Sequence, residues 1–267
     1  MDTERIKALI EQLAQLDYPD PAMRVTGDVD VLVSRSDHGR AIATLERSGR
    51  HRMAPAFREG WERRYGKDIP LIGDDRVEID LHLALVAGYF GITMPTEVLL
   101  ERVVTYPVAD RELPALDAAG RLVHAAIHTA SSTPLRLGSA ADVVQIAGSG
   151  HVDPVEFPSF TLALRCEAIV ARGIERAWDA FGVESTELSE WARNLHVDDR
   201  ERKALAALDS GGGESQWRSG LDALPPSKRP GYLLPLLVPS RAHLRHRDRS
   251  YLDHLRISAR RLYPRRR

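Results

Sequence analysis

The sequence predicts an α+β protein: a small mixed β-sheet unit over residues 1–115, followed by an all-helical unit over residues 116–267. Three observations predict this. The stretch Thr26-Gly27-Asp28-Val29-Asp30-Val31-Leu32-Val33 leads a glycine–aspartate turn into an apolar, β-branched strand. The stretch Val77-Glu78-Ile79-Asp80-Leu81-His82-Leu83 alternates strictly, with Val77, Ile79, Leu81 and Leu83 on one face and Glu78, Asp80 and His82 on the other. From Asp117 onward, apolar residues recur at helical spacing.

Thr3 to Leu16 places Ile6, Leu9, Ile10, Leu13 and Leu16 at helical spacing, and an amphipathic helix is expected there. Asp17-Tyr18-Pro19-Asp20-Pro21 ends it, because proline cannot continue a helix and restricts the residue before it. After the Asp28–Val33 strand, Ser36 or Asp37 caps a short helix through Ala41, Ile42 and Leu45 that stops near Ser48-Gly49. Ile69 to Ile72 is a candidate strand. Gly73-Asp74-Asp75-Arg76 is a strong turn, so Ile69–Ile72 and Val77–Leu83 are expected to form a hairpin. Gly88 to Thr93 reads as a loop, and Pro95-Thr96-Glu97 opens a short helix through Val98, Leu99 and Val103. Val104–Val108 and Glu112–Leu116 flank a turn as a small hairpin. Asp117 caps a helix with Leu122, Val123, Ala126 and Ile127 as its apolar stripe. Further helices are expected over Leu135–Ala147, Pro154–Phe181 (one long or two shorter), Ser185–Leu195, Asp198–Leu208 and Ser250–Tyr263, with Ser210 to Glu214 a flexible loop and Tyr232 to Val238 buried.

Composition narrows the function classes. Apolar residues make up 43% and charged residues 28%, a mix able to bury a core. The net charge of −1 gives no global field to attract nucleic acid or an anionic membrane. The single cysteine, Cys166, excludes an internal disulfide and a thiolate-rich zinc site, and its apolar helical setting reads as an inert buried thiol. No apolar run reaches the length of about 18 residues that spans a membrane, so a cytoplasmic protein is expected. There is no Gly-x-Ser-x-Gly elbow, no Gly-x-Gly-x-x-Gly turn and no Walker-type loop, which disfavours hydrolases and hydride-transfer enzymes.

The chemistry concentrates on the acidic strands. Asp28 and Asp30, two apart in a strand, point to one face, and adjacent carboxylates beside an apolar core are costly unless a cation neutralises them. A hard divalent cation such as Mg²⁺ suits that oxygen pair; a simple turn before the strand is the other reading. Glu78 and Asp80 add carboxylates on a neighbouring strand, or form a solvent-facing stripe. His124 and His128 share a helix face at a spacing that could bind metal, but they lack a third ligand, and a packing or hydrogen-bonding role is expected. Asp142 is expected to pair with Arg136 or a histidine of the preceding helix. The arginine-rich stretches Arg241–Arg249 and Arg260–Arg267 read as a solvated terminus or as a contact for RNA or phosphates.

Tyr18-Pro19-Asp20-Pro21, Arg24, Gly27-Asp28-Val29-Asp30-Val31-Leu32-Val33 and Asp80-Leu81-His82 together resemble the bacterial uncharacterised nucleotidyltransferase family of the polymerase-β-like superfamily. Leu122-Val123-His124-Ala125-Ala126-Ile127-His128, Arg136-Leu137, Asp142, Leu237-Val238-Pro239-Ser240 and Tyr251-Leu252 extend the resemblance over most of the chain. It implies a nucleotidyltransferase-like domain over 1–115 and a helical domain over 116–267 that closes the cleft. It implies that Asp28, Asp30 and Asp80 hold Mg²⁺ in a two-metal site, with Asp80 also catalytic and Glu78 the second-choice carboxylate. It also implies a nucleoside triphosphate donor and a hydroxyl or phosphate acceptor on a small molecule or peptide. The family's N-terminal strand and glycine turn, which grip the triphosphate, are expected to be missing or to lie upstream of Met1. In their place Arg24, Thr26 and the Gly27 amide are the candidate nucleotide contacts. A non-catalytic binding protein of the same fold and a toxin-like enzyme acting on tRNA are the alternatives.

Overall fold

The computed structural model describes residues 8–10, 16–24, 27–58, 60–108, 110–210 and 213–262. Its N-terminal part is a seven-stranded mixed sheet of β1 (Ala8–Ile10), β2 (Asp28–Val33), β3 (His51–Arg52), β4 (Asp68–Ile72), β5 (Glu78–His82), β6 (Val103–Val108) and β7 (Arg111–Leu116), in the spatial order β3-β4-β5-β2-β1-β7-β6. β2 and β5 lie parallel at its centre, while β4 and β5 form the expected antiparallel hairpin, as do β6 and β7. The rest of the chain is helical, so the α+β class holds. Among the described residues, no helix is long and apolar enough to cross a membrane.

The two faces of the central strands pack on different partners. Val33, Ile69, Leu71, Leu81 and Leu83 point to one side, where Ala41 and Ile42 of α1 (His38–Arg47) cover them. Side chains alternate along a strand, so Asp28, Asp30 and Leu32 point to the other side. There Leu32 joins the larger core with Leu85, Phe90 and the apolar stripes of the following helices. Acidic residues on that face therefore look toward the helical part of the chain.

Two short helices interrupt the sheet's connections, α2 (Trp61–Tyr65) and α3 (Tyr89–Thr93), and α4 (Glu97–Leu100) precedes β6. Next come α5 (Ala118–Ser131), α6 (Leu137–Gly148), α7 (Phe157–Ala163), α8 (Glu167–Phe181), α9 (Glu187–Asn194), α10 (Asp199–Asp209), α11 (Gly213–Ala223), α12 (Arg229–Leu237), α13 (Arg241–His246) and α14 (Tyr251–Leu262). Side-chain caps set several starts. Asp117 accepts from the Gly120 amide at 2.7 Å, and Asp198 with Glu201 forms a reciprocal capping box on α10. Central α5 crosses α8 so closely that a Cβ on Gly173 would fall 2.0 Å from the Ala126 carbonyl oxygen, which restricts that position to glycine.

Four expectations are corrected, the first being that Val103, expected in the helix after Pro95, instead begins β6, where it pairs with Leu116 of β7. Ala8–Ile10 is strand, not part of a helix: β1 bridges β2 and β7, and backbone pairing available in the sheet overrides the local helical spacing. The rest of that expected helix falls mostly outside the described residues. Gly88 to Thr93 is not a loop, since Tyr89–Thr93 is helical and its first amide donates to Ser219 Oγ at 3.1 Å. Gly88, at φ 78°, allows this approach; a Cβ there would strike Ser219 Oγ and the Gln216 carbonyl. Gly213 and Glu214, expected in a flexible loop, already belong to α11, and residues 211–212 lie outside the described residues. Pro154–Phe181 resolves into two helices, α7 and α8.

Candidate active site

In the parallel β2–β5 ladder, Asp28 stands beside Glu78, Asp30 beside Asp80, and Leu32 beside His82. This register puts Asp30, Asp80 and His82 on one face at the sheet's centre. One ligand atom from each lies within 4.8 Å of the others. His82 Nε2 is 2.6 Å from Asp30 Oδ1, and the His82 side chain is almost wholly buried. Asp80 Oδ1 is also buried, yet it has no hydrogen-bond partner. A buried carboxylate oxygen without a donor is expensive, and native structures rarely keep one unless an ion or water satisfies it.

The two aspartates are tuned in opposite directions. Burial acts to raise the Asp30 carboxyl, but the His82 hydrogen bond, followed by the nearby imidazoles of His124 and His82, outweighs it and holds it well below the ordinary carboxylate range. Asp80 is raised, first by burial and then by the neighbouring Asp68 carboxylate, against a smaller opposing effect of His82. A cation placed between them would relieve the burial cost and the mutual repulsion together. The two carboxylates offer oxygen ligands to a hard divalent ion, His82 orients Asp30 through its Nε2 hydrogen bond, and the unpartnered Asp80 oxygen fits an ion.

The expected trio is thus brought together in part. Asp30 and Asp80 converge, while Asp28 sits at the exposed start of β2 and Glu78 half-buried across from it, outside the convergent set. In the sequence His82 stands as a face residue and as the end of the Asp80-Leu81-His82 motif, and its place two after Asp80 on the alternating strand is the signal for a role in the site. Asp68 was also missed. It begins β4 directly across from His82 and pairs with Lys67 at 2.8 Å. Ile69-Pro70-Leu71-Ile72 marked the strand, but nothing in that run showed that its first residue would join the acidic face.

The histidines of α5 continue the site away from the sheet. The His82 and His124 rings lie edge to face at 6.3 Å, and those of His124 and His128 at 4.3 Å, in line with a packing role. His128 Nε2 is nonetheless buried without a partner. Burial, and after it the neighbouring His124 and Lys67, push its ring well below the ordinary imidazole pKa. Beside it opens a cleft of about 460 Å³, lined by Lys67, Ala87, His128, the Ser131–Leu135 turn, Arg136 and Gln216.

The segment before β2 is fastened to the helices. Asp17 takes two bonds from Arg121, at 2.6 and 2.8 Å, with both side chains buried. Tyr18 donates to Asp142 at 2.6 Å, and Arg24 Nε lies 2.9 Å from the same carboxylate. Asp142 therefore serves Tyr18 and Arg24, which corrects its expected pairing with Arg136 or a histidine. Arg24 is engaged in positioning this segment. Thr26 lies outside the described residues, and Gly27 is exposed with open space around it.

Among curated proteins, none matches the chain. The family model described as an uncharacterised nucleotidyltransferase matches residues 12–177, more than half of the chain, including the acidic strands β2 and β5 and the helix α5, and the chain belongs to that family.

Proposed function

We propose that this protein is a Mg²⁺-dependent enzyme that moves a nucleoside monophosphate group from a nucleoside triphosphate to a hydroxyl or phosphate of an acceptor, in the cytoplasm. The observation that carries the reading is the buried, unpartnered Asp80 oxygen facing Asp30 across the β2–β5 ladder. Asp30 and Asp80 would hold the ion, with His82 orienting Asp30 through its hydrogen bond and Asp28 and Glu78 standing one rung further out. A divalent ion there would supply charge neutralisation at the phosphates during in-line displacement.

The remaining work falls to the chain's own groups. Asp80 has one carboxylate oxygen for the ion and a second to accept the proton of an attacking hydroxyl. Lys67, Arg136 and the hydroxyls of Ser131, Ser132 and Thr133 line the adjoining cleft and suit a triphosphate; Gly27 leaves room for backbone approach near Asp28. Arg24 supports that end indirectly, through Asp142.

The test is label transfer. The protein is incubated with each α-labelled nucleoside triphosphate and Mg²⁺, with a small-molecule extract and with tRNA as separate acceptors. Metal-dependent transfer that disappears in Asp30→Asn and Asp80→Asn supports the proposal, and the labelled acceptor tells the small-molecule enzyme from the tRNA-directed one. No transfer, together with no Mg²⁺-dependent thermal stabilisation by any nucleotide, would instead identify a non-catalytic relative.

A further inference from the structure

A second cavity, of about 420 Å³, adjoins the cleft on the β4 side. Its walls are aromatic: Phe57 after β3, Trp61 and Tyr65 on α2, Trp217 on α11, Tyr232 on α12 and His243 on α13. The rings interlock. Phe57 lies 5.5 Å from Trp61 and 4.5 Å from His243, and Tyr232 lies 5.7 Å from Trp61 and 5.0 Å from Tyr65, the last pair edge to face. Their spacing falls in the range of favourable ring contacts.

Several polar ends are already used. Trp61 Nε1 donates to the Tyr232 carbonyl at 3.0 Å, and the Tyr232 hydroxyl donates to the Trp217 carbonyl at 3.0 Å. The charged residues at one wall neutralise each other, with Arg52 2.7 Å from Glu62 and the Phe57 amide donating to the same carboxylate at 3.1 Å. Beside the Gln216 amide and the Arg247 guanidinium, what the cavity offers is therefore mainly the part-exposed faces and edges of Phe57, Trp61, Tyr65 and Trp217, with the buried Tyr232 ring fixed behind them. That chemistry selects a flat ring, because stacking needs no donor–acceptor match and the walls lose little freedom on binding. The cavity also meets the polar cleft beside His128, sharing Lys67, Ala87 and Gln216, and Asp68 stands at its edge across from His82.

We propose that this aromatic cavity is a substrate subsite that seats a planar aromatic ring, so that the group attached to the ring reaches the Asp30–Asp80 face; this rests on the nucleotidyl-transfer reading. Two sources share that chemistry, the base of the donor nucleotide and a ring carried by the acceptor. The polar cleft and the apolar cavity would then divide one reaction between them, phosphates on one side of Lys67 and a ring on the other.

The test is ligand-observed NMR and calorimetry on the full chain without added metal, using adenosine, guanosine, cytidine and uridine in one arm and indole and p-cresol in the other. Saturable binding in either arm is expected, weakened about tenfold or more by Ala54→Leu, which fills the cavity without removing a ring, and by Tyr65→Leu, which removes one. Asp80→Asn should bind the probes as the unaltered protein does. Binding in the nucleoside arm assigns the ring to the donor; binding in the indole and cresol arm alone assigns it to the acceptor. No saturable binding in either arm, or equal binding by a folded Ala54→Leu protein, overturns the subsite. If metal-dependent transfer persists while ring binding is absent, only the subsite falls. If ring binding persists while transfer is absent, only the parent reading falls.

Discussion

The β2–β5 ladder carries two carboxylate rungs, Asp28 beside Glu78 and Asp30 beside Asp80, and only the inner one is built into the protein. The outer rung begins both strands, where Asp28 is exposed and Glu78 half-buried. The inner rung is one strand repeat further in. There it meets His82, a buried oxygen without a partner, and carboxyl groups pushed in opposite directions by their surroundings. Residue type and pairing are nearly the same in the two rungs, so the difference comes from depth. Where the helical core begins to cover the sheet, water no longer screens the carboxylates, and their charge must be answered by the protein or by an ion.

Substitutions that spoil one rung and spare the other test this contrast most strongly. Asp30→Asn and Asp80→Asn should each lower nucleotidyl transfer by about 10²–10³-fold, whereas Asp28→Asn should cost about tenfold or less, read from steady-state rates at saturating Mg²⁺. Equal losses at all three positions would place the ion at the outer end and dissolve the distinction.

The next effect concerns the anchor that holds β2 against the helices. Arg121→Met leaves the buried Asp17 carboxylate unpaired and should destabilise the fold by about 3–5 kcal/mol in urea unfolding, since a lone buried charge costs more than the pair contributes. The double change Asp17→Leu with Arg121→Met should recover most of that loss.

A finer distinction lies within the inner rung. In metal-free protein, Asp30→Asn should lower the melting temperature by about 4 °C, because its carboxylate is stabilised by His82. Asp80→Asn should raise it by about 2 °C, because that carboxylate is held at a cost. The pH dependence follows from the signs. Asp30, lowered on folding, contributes stability above its unfolded pKa and loses it as pH falls through the folded value. Asp80, raised on folding, contributes at acid pH and loses this as pH rises from the unfolded to the folded value, so the gain in Asp80→Asn should be present at pH 7 and shrink toward pH 4. The smallest effect is at Cys166. Its thiol is fully buried and raised by that burial, so alkylation by iodoacetamide at pH 8 should be negligible until the protein is unfolded.

Much of this architecture was legible in the sequence because its signals are local. Period-two alternation fixed β5 and its polar face, the turn at Gly73–Arg76 gave the hairpin, and Asp117 and Asp198 announced their helices. β1 was misread because three residues of strand owe their state to the neighbours β2 and β7, which no local pattern displays. The site was legible to the same degree. Asp30 and Asp80 lie on strands whose patterns are strong, but which carboxylates converge depends on the register between strands 50 residues apart. His82 and His128 entered the site through burial, and Asp68 through the edge of a weakly patterned strand. Tyr18 and Arg24, prominent in the motif before β2, turned out to hold that segment to Asp142.

The most direct measurement is a Mn²⁺ titration followed by water-proton relaxation, on the unaltered protein and on Asp28→Asn, Asp30→Asn and Asp80→Asn, with and without a nucleoside triphosphate. Saturable Mn²⁺ binding that is strengthened by the nucleotide, lost in Asp30→Asn and Asp80→Asn, and largely kept in Asp28→Asn is the expected result. Binding unaffected by either inner substitution, or no binding to the unaltered protein at millimolar Mn²⁺, would contradict the claim that the inner rung is a divalent-ion site.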